Sequence, residues 1–221
     1  MKSMRFRDRS EGGQLLARAL RRYRGDATAL VLGLPRGGVV TAYEIAVALD
    51  LPLDVIVVRK LGTPGQKELA MGAIASGGIR VLNDDVVRTL RIAPKEIDEA
   101  TRHEEAELRR REKLFRGERP PLALSGRTLL LVDDGMATGS TMLAAIQCAR
   151  AAKPARIVLA VPVAPASALE RLRGEVNQVV CLSQPEFFRA VGEWYDEFAQ
   201  VEDEEVVALL QKAAQRAAAL A

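Results

Sequence analysis

Asp133 and Asp134 stand side by side between an unbroken apolar run, Leu129 to Val132, and the string GMATGST, Gly135 to Thr141. The apolar run has the character of a buried strand, and the string suits a turn that opens a helix at Ser140. Met136 apart, the turn residues Gly135, Ala137, Thr138, Gly139, Ser140 and Thr141 carry little bulk. Successive backbone N–H groups can therefore converge on an anion at the helix N-terminus, with the Thr and Ser hydroxyls beside them. Two carboxylates about 4 Å from a phosphate dianion would repel it by several kcal/mol even at an effective dielectric constant of about 20. The acids must face something else. A sugar 5-phosphate resolves the conflict: the phosphate fills the amide cradle, while Asp133 and Asp134 accept hydrogen bonds from the ribose 2- and 3-hydroxyls or organise a magnesium ion indirectly, through those hydroxyls or water.

A second junction, Leu32 to Gly38, reads LGLPRGG, and by itself says only that a strand turns into a helix. Arg59 and Lys60 close the next apolar run and put two cations at a strand's C-terminal edge, where open α/β sheets hold ligands. Ordinary strand-end charge is the plain alternative. Gln184 to Phe198, QPEFFRAVGEWYDEF, collects most of the aromatic rings in the second half of the chain.

Taken together, LLLVDDGMATGST, LPRGG, the Arg59-Lys60 pair with the following LGTPGQKELAMGAIASGG, and the aromatic segment resemble the type I phosphoribosyltransferases over nearly the whole chain. The pattern is most similar to a broad bacterial group of that family. The resemblance implies that Gly135 to Thr141 bind phosphoribosyl pyrophosphate at its 5-phosphate and that Pro35, Gly37 and Gly38 approach the pyrophosphate while Arg36 adds charge. It implies a non-proline cis peptide between Pro35 and Arg36 and pyrophosphate contacts from Lys60 and Arg59. It also implies that Ala75 to Arg80, with Gly77 and Gly78, form the hinge or tip of a flexible loop over the reacting centre. Phe188 would stack on a planar acceptor and Trp194 or Tyr195 would line its pocket, with Asp196 a lesser metal or pyrophosphate contact. Alternatively, these rings only pack the last helix on the sheet.

The implied reaction is transfer of ribose 5-phosphate at the anomeric carbon, with pyrophosphate leaving as a magnesium complex. Asp133 and Asp134 would fix the sugar, and Arg36 and Lys60 would stabilise the departing charge. Two departures bear on the acceptor. Ala137 stands where hypoxanthine-guanine members place an acidic base, and their base-reading lysine is missing from Val161 to Ala166, which disfavours a 6-oxopurine. Competing readings are a non-catalytic sensor of phosphoribosyl pyrophosphate and a phosphorylase or hydrolase of a related ribose phosphate. The family resemblance also implies a homodimer.

The elements that must position these groups follow from hydropathy. Apolar runs at Ala29 to Leu34, Leu53 to Val58, Thr128 to Val132, Arg156 to Val163 and Gln178 to Leu182 read as buried strands. Helical patterns at Val39 to Leu49, Ser140 to Ala152 and Ala166 to Arg173 lie between them, which predicts an α/β fold: a doubly wound, mainly parallel sheet flanked by helices, with a small hood formed by terminal segments. Gln14 to Tyr23 reads as a preceding amphipathic helix and Glu204 to Leu220 as a closing one. Pro94 to Arg116 has a thin apolar stripe at Ile97, Thr101, Leu108 and Phe115 and i,i+4 pairs such as Glu105 with Arg109 and Glu107 with Arg111. It reads as a helical excursion, either a surface crossover or a mobile cover. The expected organisation is a core over residues 1–182, with that excursion at about 80–120, and a hood and closing helix over 183–221.

A formal charge of +3 over 221 residues is too weak to imply a nucleic-acid surface. Cys148 and Cys181 lack metal-binding spacing, and His103 sits among charged residues on a predicted helix face. No leader and no apolar run of about 18 residues is visible, so a cytoplasmic protein with small-molecule partners is expected.

Overall fold

Unbroken apolar runs form strands that are covered on both faces. The computed structural model describes residues 4–120 and 122–220, with the backbone alone for 66–68 and 220. In chain order its strands are β1 (Ala29–Gly33), β2 (Leu53–Val55), β3 (Val58–Thr63), β4 (Gln66–Ala75), β5 (Ile79–Leu82), β6 (Thr128–Val132), β7 (Arg156–Val163) and β8 (Gln178–Ser183). Its helices are α1 (Arg9–Ala19), α2 (Gly37–Leu49), α3 (Asp84–Thr89), α4 (Pro94–Arg116), α5 (Ser140–Ala151), α6 (Ala166–Arg173) and α7 (Asp203–Leu220). Five strands make one parallel sheet in the order β2-β1-β6-β7-β8.

Alternation along the strands sends side chains to two cores. Val31, Leu130, Val132 and Val158 face α1, α2 and α7, with Leu16, Leu20, Ile45, Leu49, Val206 and Leu210. Leu30, Leu32, Leu129, Leu131 and Leu159 face α5 and α6, with Met142, Ile146, Leu169 and Leu172. The sheet is thus doubly wound.

The second predicted strand is corrected. The run Leu53 to Val58 divides, with β2 ending at Val55, and Arg59 and Lys60 lie inside β3, which starts a separate antiparallel sheet, β3-β4-β5. Two hydrogen bonds, Val57 N–H to Ser76 Oγ and Ser76 N–H to the Val57 carbonyl, both 3.0 Å, anchor that hairpin to the core. Ala73 and Ala75 then pack on Ala144 and Cys148 of α5, where only small side chains allow a close approach. Ala75 to Arg80 is not a free loop: it contains a three-residue turn in which Gly77 and Gly78 both have positive φ.

The N-terminal helix also starts earlier than predicted. Asp8 caps α1 by accepting from Glu11 N–H at 2.8 Å, and the helix ends at Ala19 before a 3-10 turn, Arg21–Tyr23. Helix α4 buries Ile97, Thr101, Leu108 and Phe115 against the larger core. Its end is clamped by Arg116, whose Nε and Nη2 lie 3.1 and 3.2 Å from the two oxygens of Asp54, with both side chains largely buried. These contacts make α4 a packed element in this conformation. No helix among the described residues is long and apolar enough to cross a membrane.

Candidate functional site

In the order β2-β1-β6, the chain leaves β1 for one neighbour and reaches the other only after the hairpin and α4. The loops following β1 and β6 therefore diverge on the same rim and open a crevice, the usual ligand position in an open α/β sheet. Residues 34–38 and 133–139 form its walls, joined by Leu34 N–H donating to the Val132 carbonyl at 2.9 Å. The Pro35–Arg36 peptide is cis. A Cβ on Gly38 would fall 2.8 Å from Asp133 Cα and 2.9 Å from its Oδ1. One on Gly37 would collide with Asp134 Oδ2 and Arg9 Nε. The paired glycines thus let the first loop sit directly on the acids.

The two carboxylates differ. Asp133 Oδ1 accepts from Asp134 N–H at 2.9 Å. Burial, and then the adjacent Asp134 charge, push its pKa well above the ordinary carboxylate range. Asp134 Oδ2 is paired with Arg9 Nε at 2.6 Å, and its carbonyl accepts from the Tyr195 hydroxyl at 2.5 Å. Burial, and then Asp134, raise the Tyr195 pKa, so this hydroxyl remains a donor.

In the turn before α5, Met136 N–H donates to the Val163 carbonyl at 3.0 Å and its side chain is buried. Met136 is thus held by the scaffold through both its N–H and its side chain. Ser140 N–H has a long contact of 3.4 Å to Thr138 Oγ1. Among the described residues the N–H groups of Ala137, Thr138, Gly139 and Thr141 have no protein acceptor. Gly139 holds φ at +72°, the left-handed region that favours glycine and turns the chain into α5. Gly135 is required for space, since a Cβ would lie 2.5 Å from Val191 Cγ1.

The cations do not all converge. Lys60 reaches the turn, its Nζ 3.4 Å from Ser140 Oγ, and together with Thr138, Ser140 and Arg171 lines a cavity of about 430 Å³. Arg59 points the other way, as alternation in a strand requires, and pairs with Glu104 of α4 at 2.7 Å, so it does not join Lys60. Arg36 sits at the start of α2, half-exposed and 3.6 Å from Glu202.

The aromatic segment lies above Gly135 and docks on the N-terminal stretch through main-chain bonds. Phe6 N–H donates to the Trp194 carbonyl, and Asp196 and Glu197 N–H donate to the carbonyls of Phe6 and Arg7, all at 2.8 Å. Phe188 and Trp194 stack on each other with centroids 6.4 Å apart, whereas Phe187 is 84% exposed. Asp196 pairs with Arg5 at 2.7 Å on the surface. Arg9, absent from the sequence-based site, was missed because its partner is 125 residues away. The only local signal was the cap pattern of Asp8 with Glu11, which places Arg9 at the first helical position.

Residues 9–198 match the family model described as phosphoribosyl transferase domain. Two Mycobacterium tuberculosis proteins, from strains H37Rv and CDC 1551 and provisionally named phosphoribosyl transferases, are each 50% identical over 208 residues. The match covers 94% of this chain and 47% of theirs, so the chain spans about half the length of these curated relatives. The crystal structure of TT1426 from Thermus thermophilus is 45% identical, with a TM-score of 0.86 over 95% of this chain and 99% of that one.

Proposed function

Since the chain belongs to the phosphoribosyl transferase domain family, we propose that it binds phosphoribosyl pyrophosphate in the crevice between residues 34–38 and 133–141 and transfers ribose 5-phosphate to a planar nitrogenous acceptor, releasing pyrophosphate. The observation that carries this reading is the turn before α5, where the N–H groups of Ala137, Thr138, Gly139 and Thr141 have no protein acceptor among the described residues, beside two acids that an anion alone would avoid. The 5-phosphate takes the amides of Ala137 to Thr141, and the ribose hydroxyls take Asp133 and Asp134. Lys60, Arg36 and the amides of residues 36–38 hold the pyrophosphate. Much of the acceleration then comes from fixing the donor and stabilising the charge that leaves, which requires few acid-base groups.

Among the described residues no group of three or more His, Cys, Asp or Glu could cage a metal. The carboxylates of Asp133 and Asp134 fit magnesium, which keeps waters and takes substrate phosphates with one or two carboxylates, and they would hold it through ribose hydroxyls or water. When bound, the ion would neutralise pyrophosphate charge. The hood of residues 4–8 and 184–199 covers the acceptor side, with Phe188 and Trp194 as its aromatic lining.

Incubation with Mg²⁺ and phosphoribosyl pyrophosphate against bases, amines, phosphate and water tests the proposal. Acceptor-dependent pyrophosphate release, abolished in folded Asp133→Asn/Asp134→Asn protein, is expected. Binding without turnover would replace it with a sensor, and release with water alone with a hydrolase.

A further inference from the structure

Arg9 is engaged on three sides. Its Nε donates to Asp134 Oδ2 at 2.6 Å, its Nη1 to the Ala199 carbonyl at 2.8 Å, and its Cζ lies 3.8 Å from the centroid of the Phe198 ring. Only 12% of its side chain and 15% of that of Asp134 are exposed. The backbone that carries it is equally constrained. Asp8 caps the helix that Arg9 begins, and Gly13, one turn on, packs so closely that a Cβ there would lie 2.5 Å from the Thr41 carbonyl oxygen of α2.

The pair uses one carboxylate oxygen. Among the described residues no N–H or hydroxyl group donates to Oδ1 of Asp134. Without Arg9 the carboxylate loses the donor that holds Oδ2, and its terminal torsion is soft. The guanidinium therefore settles which oxygen is committed to the protein and which remains. Its contacts with Phe198 and Ala199 attach that choice to the hood. Gly37 closes the arrangement from the opposite wall, with no room for a side chain beside Oδ2 and Nε.

We propose that Arg9 is a positioning residue for donor binding, holding Oδ2 of Asp134 so that Oδ1 is presented to a ribose hydroxyl and tying that orientation to the hood. The inference rests on the donor site proposed above. A double-mutant cycle tests it by calorimetric binding of magnesium phosphoribosyl pyrophosphate to wild type, Arg9→Met, Asp134→Asn and the double variant, each checked for fold by circular dichroism. Arg9→Met should weaken binding on the order of 10-fold, the scale of one charge-assisted hydrogen bond. It should have no further effect when Asp134 is already Asn. Arg9→Lys should recover part of the loss, because it restores the charge without the planar fork.

Unchanged binding by Arg9→Met overturns the inference, as does an equal loss in the Asp134→Asn background, where Arg9 would be acting without its partner. If Arg9→Met does not fold, Arg9→Lys takes its place in the same cycle. A wild-type chain that binds no phosphoribosyl pyrophosphate brings down the donor site itself, and the inference with it. That result is distinct from one in which wild type binds and the cycle shows no coupling.

Discussion

Gly38→Ala is the sharpest test of how the crevice is built, because two effects of opposite sign can be weighed. Gly38 lies in the first turn of α2, where alanine is intrinsically better than glycine by about 1 kcal/mol. Against this, the new Cβ would stand 2.8 Å from Asp133 Cα and 2.9 Å from the Val132 carbonyl oxygen, and needs about 0.6 Å of backbone movement to reach the 3.4 Å edge of ordinary contact. Overpacking against backbone costs roughly 1–3 kcal/mol, so the net loss should be about 1 kcal/mol. For a chain of this size that lowers Tm by roughly 2–4 °C. Donor binding should suffer more, since the shift separates the acids from the first anion loop, and misplacement by about 1 Å can cost 100-fold. Thermal melting and calorimetric binding read the two effects separately. Gly174→Ala is the control, with nothing within 4 Å of its Cβ and φ at −75°. A Gly38→Ala protein that melts and binds like wild type would refute the packing argument.

Two further outcomes follow from charge and burial. The raised pKa of Asp133 means that the folded chain holds this proton more tightly than the unfolded chain. Its contribution to stability is present below the ordinary carboxylate range, near pH 4, and is lost as pH rises through the elevated folded value. Asp133→Asn should therefore melt above wild type at pH 8 without ligand, with the gap closing towards pH 4; a constant gap would contradict this. Arg116→Met leaves the largely buried Asp54 with the Val55 N–H at 2.8 Å and, as its remaining cation, Arg119 at 3.8 Å, a loss of about 3–5 kcal/mol, so a fall in Tm on the order of 10 °C is expected, partly recovered by Asp54→Asn in the same chain.

What was legible in the sequence depended on whether the cause was local. β1 and β6 announce themselves because burial on both faces leaves nearly every position apolar, Thr128 being the exception, and α4 because Ile97, Thr101, Leu108 and Phe115 keep a helical period inside a charged segment. The predicted pairs Glu105 with Arg109 and Glu107 with Arg111 form at 3.1 and 2.7 Å. The β3-β4-β5 sheet was not legible. Its packing depends on Ala73 and Ala75 fitting against α5 and on Gly72 fitting against Val81 and Leu82 of β5, and residues chosen for smallness give little strand signal. Misplacing that sheet turned Arg59 and Lys60 into a strand-end pair, although alternation sends one to Glu104 and the other to Ser140. The acids and the turn were visible as a motif. That Asp134 has a private partner from α1 was not, since long-range ion pairs leave no spacing to read.

The edge of the hood is fastened through main-chain groups, at Phe6, Arg7, Trp194, Asp196 and Glu197, with inward side-chain contacts from Tyr195 and Phe198 alongside them. A backbone lattice tolerates a change of side chain in a way that an interlocking of side chains does not. Outward-facing positions of 184–199, such as the exposed Phe187, can therefore be exchanged without loosening the frame, while the turn before α5 and its acids stay rooted in the parallel sheet. On the proposed function, recognition of the acceptor is in this sense modular, and grafting those positions between relatives should carry preference with it and leave the donor half untouched.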